Sequence, residues 1–143
     1  MNTSLTRILA AAGAIPFLIG AFAPALGVEL VTRHGDIEAA ALAYGLTIAS
    51  FMAGVHWGTA LSATRSLPVN LFVSSNVVAV AAWFVYLFAS AEAAALLLAF
   101  LFAVLLAIDW RLRGDGVIGA AYWQTRLVVT AVVIACLVVM SVR

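Results

Sequence analysis

The stretch that decides the fold is 68-PVNLFVSSNVVAVAAWFVYLFASAEAAALLLAFLFAVLLAI-108, 41 residues with Glu92 as the one charged side chain. As a single helix it would run ~60 Å, about twice the hydrocarbon thickness of a bilayer. It must therefore fold back on itself. Ser90 and Glu92 mark the turn: Ser90 suits the cap of the following helix, and Glu92 then sits in its first turn, where the helix dipole favours an anion.

Working outward, further charge-free windows appear at Ile8 to Val28, Ala39 to Thr64 and Leu127 to Val142, alongside Ser66 to Ala91 and Ala93 to Ile108. Each is rich in Ala, Leu, Val and Phe, so five spanning helices are expected, over about 5–26, 38–62, 68–89, 91–110 and 121–142. Asp36 and Glu38 play the capping role for the second helix. Arg7, the apolar run and Ala21-Phe22-Ala23 imitate a signal peptide, but Pro24 follows that site directly and argues against cleavage, so the segment is kept as a span.

Composition agrees. The 143 residues are 66% hydrophobic and 9% charged, thirteen ionisable groups where a soluble domain of this size carries about thirty-five. Five spans use ~100 residues and leave about forty for loops and ends, too few for an extramembrane domain. Nucleotide-binding folds, soluble catalytic domains and nucleic-acid modules are excluded, and a net charge of +1 provides no phosphate-binding stripe. The expected fold is an all-α integral membrane protein, a compact bundle of five transmembrane helices forming one domain over residues 1–143.

Arginine bias orients it. With five spans, Arg7, Arg65, Arg111 and Arg113 share one side with Arg126 close by, while Arg33 and Arg143 are alone on the other, with Glu29, Asp36, Glu38 and Glu92. The N-terminus is expected in the cytoplasm and the C-terminus outside.

Charges inside the spans carry the functional reading. Ala93 to Ile108 is 16 residues, or ~24 Å, so Asp109 is drawn toward the membrane, and the same arithmetic holds Arg126 near its cytoplasmic edge. The connection between them contains Gly114-Asp115-Gly116, a turn signal. Asp109 can neutralise Arg126, or it can pair with Arg113 at i+4 while Arg126 snorkels to the headgroups. His56 lies about six residues before the end of the second helix, in line with Ala41, Gly45, Ala49 and Ala53; Gly54 and Gly58 form a second small stripe with Ser50 and Ser62. Gly45, Ala49, Gly54 and Gly58 are therefore expected at helix–helix contacts, and the helix in the centre of the bundle. An intramembrane histidine faces a cavity or bonds a neighbouring helix for packing alone.

Depth places Ser75 and Asn76 level with His56. A polar site of His56, Asn76, Asp109 and Arg126 is thus expected in the cytoplasmic half, lined by Trp57, Ser75, Gln124 and Thr130. Trp57, Trp110, Tyr122 and Trp123 near the cytoplasmic boundary, and Trp83 and Tyr86 near the other, read as an aromatic belt. Cys136 is a lone thiol in an apolar run, expected buried and inert. No His, Cys and carboxylate set has metal spacing, and one membrane histidine cannot supply bis-histidine haem ligation, so no metal and no cofactor is expected. A Ser75, His56 and Asp109 triad is conceivable on composition, but no nucleophile elbow supports it.

Gly13-Ala14-Ile15-Pro16-Phe17, Tyr44, the run Ser50-Phe51-Met52-Ala53-Gly54-Val55-His56-Trp57-Gly58, Asp109, and Tyr122-Trp123-Gln124-Thr125-Arg126-Leu127 with Thr130 resemble the domain-of-unknown-function 3429 family, which includes the transmembrane protein 69-like proteins of mitochondria. The resemblance runs in order over nearly the whole chain. It departs from the family pattern at Asn76, where a proline is expected nearby, and at Thr125, where a leucine is expected. It implies a small multispanning protein of a bacterial inner membrane, or of a mitochondrial membrane in a eukaryote, and it implies retention of the first span. The function expected is a nonenzymatic membrane protein whose polar site binds a small ligand or relays protons. The alternatives are a structural accessory or assembly factor of a larger membrane complex, and a membrane enzyme. Expected partners are membrane lipids, other membrane proteins or a second copy of the chain, and no nucleic acid.

Overall fold

The computed structural model describes residues 3–28, 31–32 and 35–143. In chain order it comprises α1 (Thr3–Ala12), α2 (Ile15–Phe22), a single 3-10 turn (Pro24–Leu26), the two-residue strands β1 (Val31–Thr32) and β2 (Gly35–Asp36), α3 (Ile37–Ser62), α4 (Leu71–Phe88), α5 (Ala91–Gly114) and α6 (Ala120–Ser141). The strands pair antiparallel, Val31 with Asp36 and Thr32 with Gly35. Glu29 and Arg33, counted in the charge reading, lie outside the described residues. Five segments are long and apolar enough to cross a membrane: Ser4–Phe22, Ile37–Ser62, Leu71–Phe88, Ala91–Gly114 and Ala120–Ser141.

The first of these is two helices. Proline at position 16 has no N–H to give the Ala12 carbonyl, and its ring crowds that carbonyl. The chain breaks at Gly13 and Ala14, with Ala14 N–H bonding Ala11 in a tighter turn, and restarts with Leu18 N–H on the Ala14 carbonyl. The later starts are capped by side chains: Asp36 accepts from Ala39 N–H at 2.8 Å, Asn70 from Val73 N–H at 3.3 Å and Ser90 from Ala93 N–H at 3.4 Å. Asn70 sets the beginning of α4 at Leu71 and leaves Pro68 in the loop. Helix α5 ends where Gly116 enters the left-handed region at φ 68°. Its N–H meets the Arg113 carbonyl and the Val117 N–H meets Leu112, the paired closure that glycine makes without strain.

Helix α5 is the most enclosed element, burying Ala94, Ala95, Leu98, Phe102, Leu105, Ile108, Asp109 and Leu112. It contacts α3, α4 and α6, while α2 closes against α3 and α6, and α1 lies on α6. Helix α3 packs against α2, α4 and α5 and buries one stripe, Ala41, Gly45, Ala49, Ala53 and His56. Small residues allow close approach there. A Cβ on Gly45 would stand 3.1 Å from Leu98, and one on Gly20 only 2.4 Å from the Ala41 Cβ. Gly54 and Gly58 are exposed, with nothing within 4 Å of an added Cβ. They face away from every described helix, contrary to the packing role expected of them.

Two arginines tie the ends. Arg143 donates to the carbonyls of Gly20 and Ala21 at 3.1 and 2.5 Å, satisfying acceptors near the end of α2. At the other end Arg65 donates to the Asp115 carbonyl, joining the α3–α4 and α5–α6 loops. Outward-facing positions are apolar around the bundle, including Phe51, Val77, Phe88, Phe100, Trp110 and Val128. In water such a surface is an association liability; in lipid it is the ordinary outer face.

A buried histidine, aspartate and arginine cluster

Three helices deliver one side chain each to a common point. On α5 the buried positions Leu98, Phe102, Leu105, Ile108, Asp109 and Leu112 recur at helical spacing, so Asp109 lies on the inward face and is 1% exposed. The α3 stripe ends on His56, 2% exposed. On α6, Arg126, Thr130, Val133 and Leu137 follow the same spacing, with Thr130, Val133 and Leu137 buried. His56 Nε2 lies 2.9 Å from Asp109 Oδ1, and Arg126 Nε donates to Asp109 Oδ2 at 2.8 Å.

A carboxylate only accepts, so the hydrogen on the histidine side belongs to Nε2. Asp109 and Arg126 are opposite charges that neutralise each other, which a site out of water needs, since an unpaired buried ion costs several kcal/mol. Of the two pairings open to Asp109, the structure contains the one with Arg126. Among the described residues four buried side-chain atoms have no hydrogen-bond partner: His56 Nδ1, Ser74 Oγ, Arg126 Nη2 and Thr130 Oγ1.

Arg126 and Thr130 also line a cavity of about 520 Å³ bounded by α1, α3 and α6. Arg7, Tyr122 and Thr125 stand with Arg126 toward one end, and Gly13, Ile48, Phe102 and Val133 form the apolar remainder. The volume is within the roughly 300–1,000 Å³ range of small-molecule sites.

The other expected residues are elsewhere. Asn76 is on the exposed side of α4, its amide donating to the Phe72 carbonyl at 2.7 Å. Ser75 is buried but gives its hydroxyl to the same carbonyl at 3.2 Å. Gln124 is exposed. Trp57 is 41% exposed and meets Phe72 edge to face at 4.9 Å, outside the cavity wall. Thr130 is at the site, and Gly45 and Ala49 are in the buried stripe. The cavity wall on α1, with Arg7, was not singled out from the sequence; the signal available was that Arg7 and Arg126 share a side. Cys136 is buried, and among the described residues no three of His, Cys, Asp and Glu gather as metal ligands would.

Fold and cluster together define a small helical protein with five helical segments, among the described residues, long and apolar enough to span a membrane, around a buried His56, Asp109 and Arg126 cluster. The chain belongs to the family described as protein of unknown function (DUF3429), whose profile matches residues 3–142. No curated protein and no solved structure matches it.

Proposed function

We propose that this is a multi-pass membrane protein, N-terminus in the cytoplasm and C-terminus outside, that binds a small ligand in the cleft beside Arg126. The carrying observation is the pair of arginines on one cavity: Arg126, anchored to Asp109 through Nε, and Arg7 both line it, with an apolar wall beyond them. Asp109 holds Arg126 in place, and His56 holds Asp109. The Ser75, His56 and Asp109 triad has no support in the geometry, because Ser75 gives its hydroxyl to the Phe72 carbonyl of its own helix and His56 gives its bond to Asp109. Arginine asymmetry supports the orientation, with Arg7, Arg65, Arg111 and Arg113 on the side assigned to the cytoplasm.

The test is a thermal melt of purified, delipidated protein in detergent, with and without a total membrane extract of its host. A ligand that binds the folded state raises the melting temperature. The wild type should be stabilised by the extract, and Ala10→Phe, which fills the cleft, should not. Equal responses of the two proteins overturn the reading.

One observation favours a second reading, a proton relay: His56 Nδ1 is buried with no partner among the described residues. A proton taken there would make the ring an imidazolium against Asp109. Imidazole NMR shifts followed between about pH 5 and 8 test it. A titrating ring supports the relay, and a ring neutral throughout removes it.

A further inference from the structure

We infer that the ligand of this cleft is an anionic membrane lipid, its phosphate on Arg126 and Arg7 and one of its chains along the apolar wall. This rests on the cleft being a binding site, and it adds the chemical class. The cleft is polar at one end and apolar along the rest. Two cations, Arg7 and Arg126, line it, and among the described residues no carboxylate does. Asp109, bonded to Arg126, has both oxygens engaged. An anion entering there meets Arg7, which has no salt bridge among the described residues, beside an Arg126 whose charge Asp109 neutralises through Nε alone.

The dimensions select a lipid over a compact anion. Along α6 the lining runs from Ala121 to Val133, and the part beyond Arg126 is a rise of ~10 Å, about two-thirds of one leaflet of a ~30 Å hydrocarbon core. The upper part of an acyl chain therefore fits beside α6. The wall past the cations is Leu9, Ala10, Ile48, Met52, Val129 and Val133, which offers nothing to a second polar group. A free phosphate would leave that wall dry and empty, while an acyl chain covers it at no cost in polar groups. The leaflet is the one on the arginine-rich side, where the lipid phosphates stand level with Arg7.

The probe is native mass spectrometry of the full chain in a nonionic detergent, with phosphatidylglycerol or phosphatidylcholine of identical chains, and inorganic phosphate as a third arm. The wild type should retain one phosphatidylglycerol with about tenfold or greater preference over phosphatidylcholine, as one charge-assisted hydrogen bond provides. Arg126→Gln should abolish the preference. Arg7→Gln, which leaves the buried cluster intact, should reduce it several-fold and so keeps the test valid if Arg126→Gln fails to fold. Ala10→Phe should lose both lipids. Equal retention of the two lipids, lost in Ala10→Phe, overturns anion recognition but leaves the cleft a binding site. Displacement of the lipid by millimolar phosphate overturns the chain's part in binding. Retention unchanged in Ala10→Phe removes the lipid and the cleft together.

Discussion

Asp109 and Arg126, 17 positions apart on α5 and α6, meet through a single 2.8 Å bond between Nε and Oδ2, so the arginine is anchored by one edge of its guanidinium. A side-on bidentate fork would have engaged Nη2 as well and taken both carboxylate oxygens. This contact leaves Asp109 Oδ1 for His56, and leaves Nη2 buried without a partner among the described residues.

Removing either charge strands the other away from water. Asp109→Asn or Arg126→Gln should each lower stability by about 3–5 kcal/mol, and the double variant should lose clearly less than the sum. Arg113→Gln, without a salt bridge to Asp109 among the described residues, should stay within about 0.5 kcal/mol of wild type. Thermal melts of the four proteins in detergent check both statements, and additive losses would contradict the pairing.

The histidine's contribution is one donor to a buried oxygen. His56→Leu removes that donor and should cost about 1–3 kcal/mol, whereas His56→Gln keeps an N–H within reach of Asp109 and should cost less. The same melts report the order. If glutamine is as damaging as leucine, the contact matters through the shape of the ring and not through its hydrogen.

These predictions show what the sequence made legible. Depth was readable: window lengths placed His56, Asp109 and Arg126 at one level because charge-free runs measure distance along the bilayer normal. Rotation was not. A helix that is apolar all round has little amphipathic signal, so the inward side of α4 could not be chosen from composition. The buried positions Leu71, Ser75, Val78 and Ala82 keep Asn76, one residue on, outside the site. The same ambiguity promoted Gly54 and Gly58 beside the stripe that is buried. Pro16 announced the break between α1 and α2, but charge-free length alone merged them into one span.

Orientation is tested independently of the site. A C-terminal alkaline phosphatase fusion should be active and a C-terminal fluorescent fusion dark, with the reverse pattern for reporters placed in the loop after Ser62. Arg65, held there by the Asp115 carbonyl, belongs to the side expected to stay in the cytoplasm. An active phosphatase in that loop would reverse the topology.

Helices α2 and α3 approach closely at Gly20 and Ala41, where an added Cβ would lie 2.4 Å from the Ala41 Cβ. No side-chain rotation relieves such a clash, because both atoms are fixed to backbone. Gly20→Ala must push α2 away from α3, and α2 is also held at its far end by Arg143 on the Gly20 and Ala21 carbonyls. The cost should be about 1–3 kcal/mol, the usual penalty for overpacking a tight contact. Gly58→Ala is the matched control. Its added methyl meets nothing within 4 Å, and exchanging glycine for alanine inside a helix restricts the unfolded chain, so it should be neutral or stabilising by up to about 1 kcal/mol. Opposite signs for the two substitutions, read as melting-temperature shifts in one detergent, follow from the α2–α3 contact. Equal signs would mean that α2 does not close on α3 at this point.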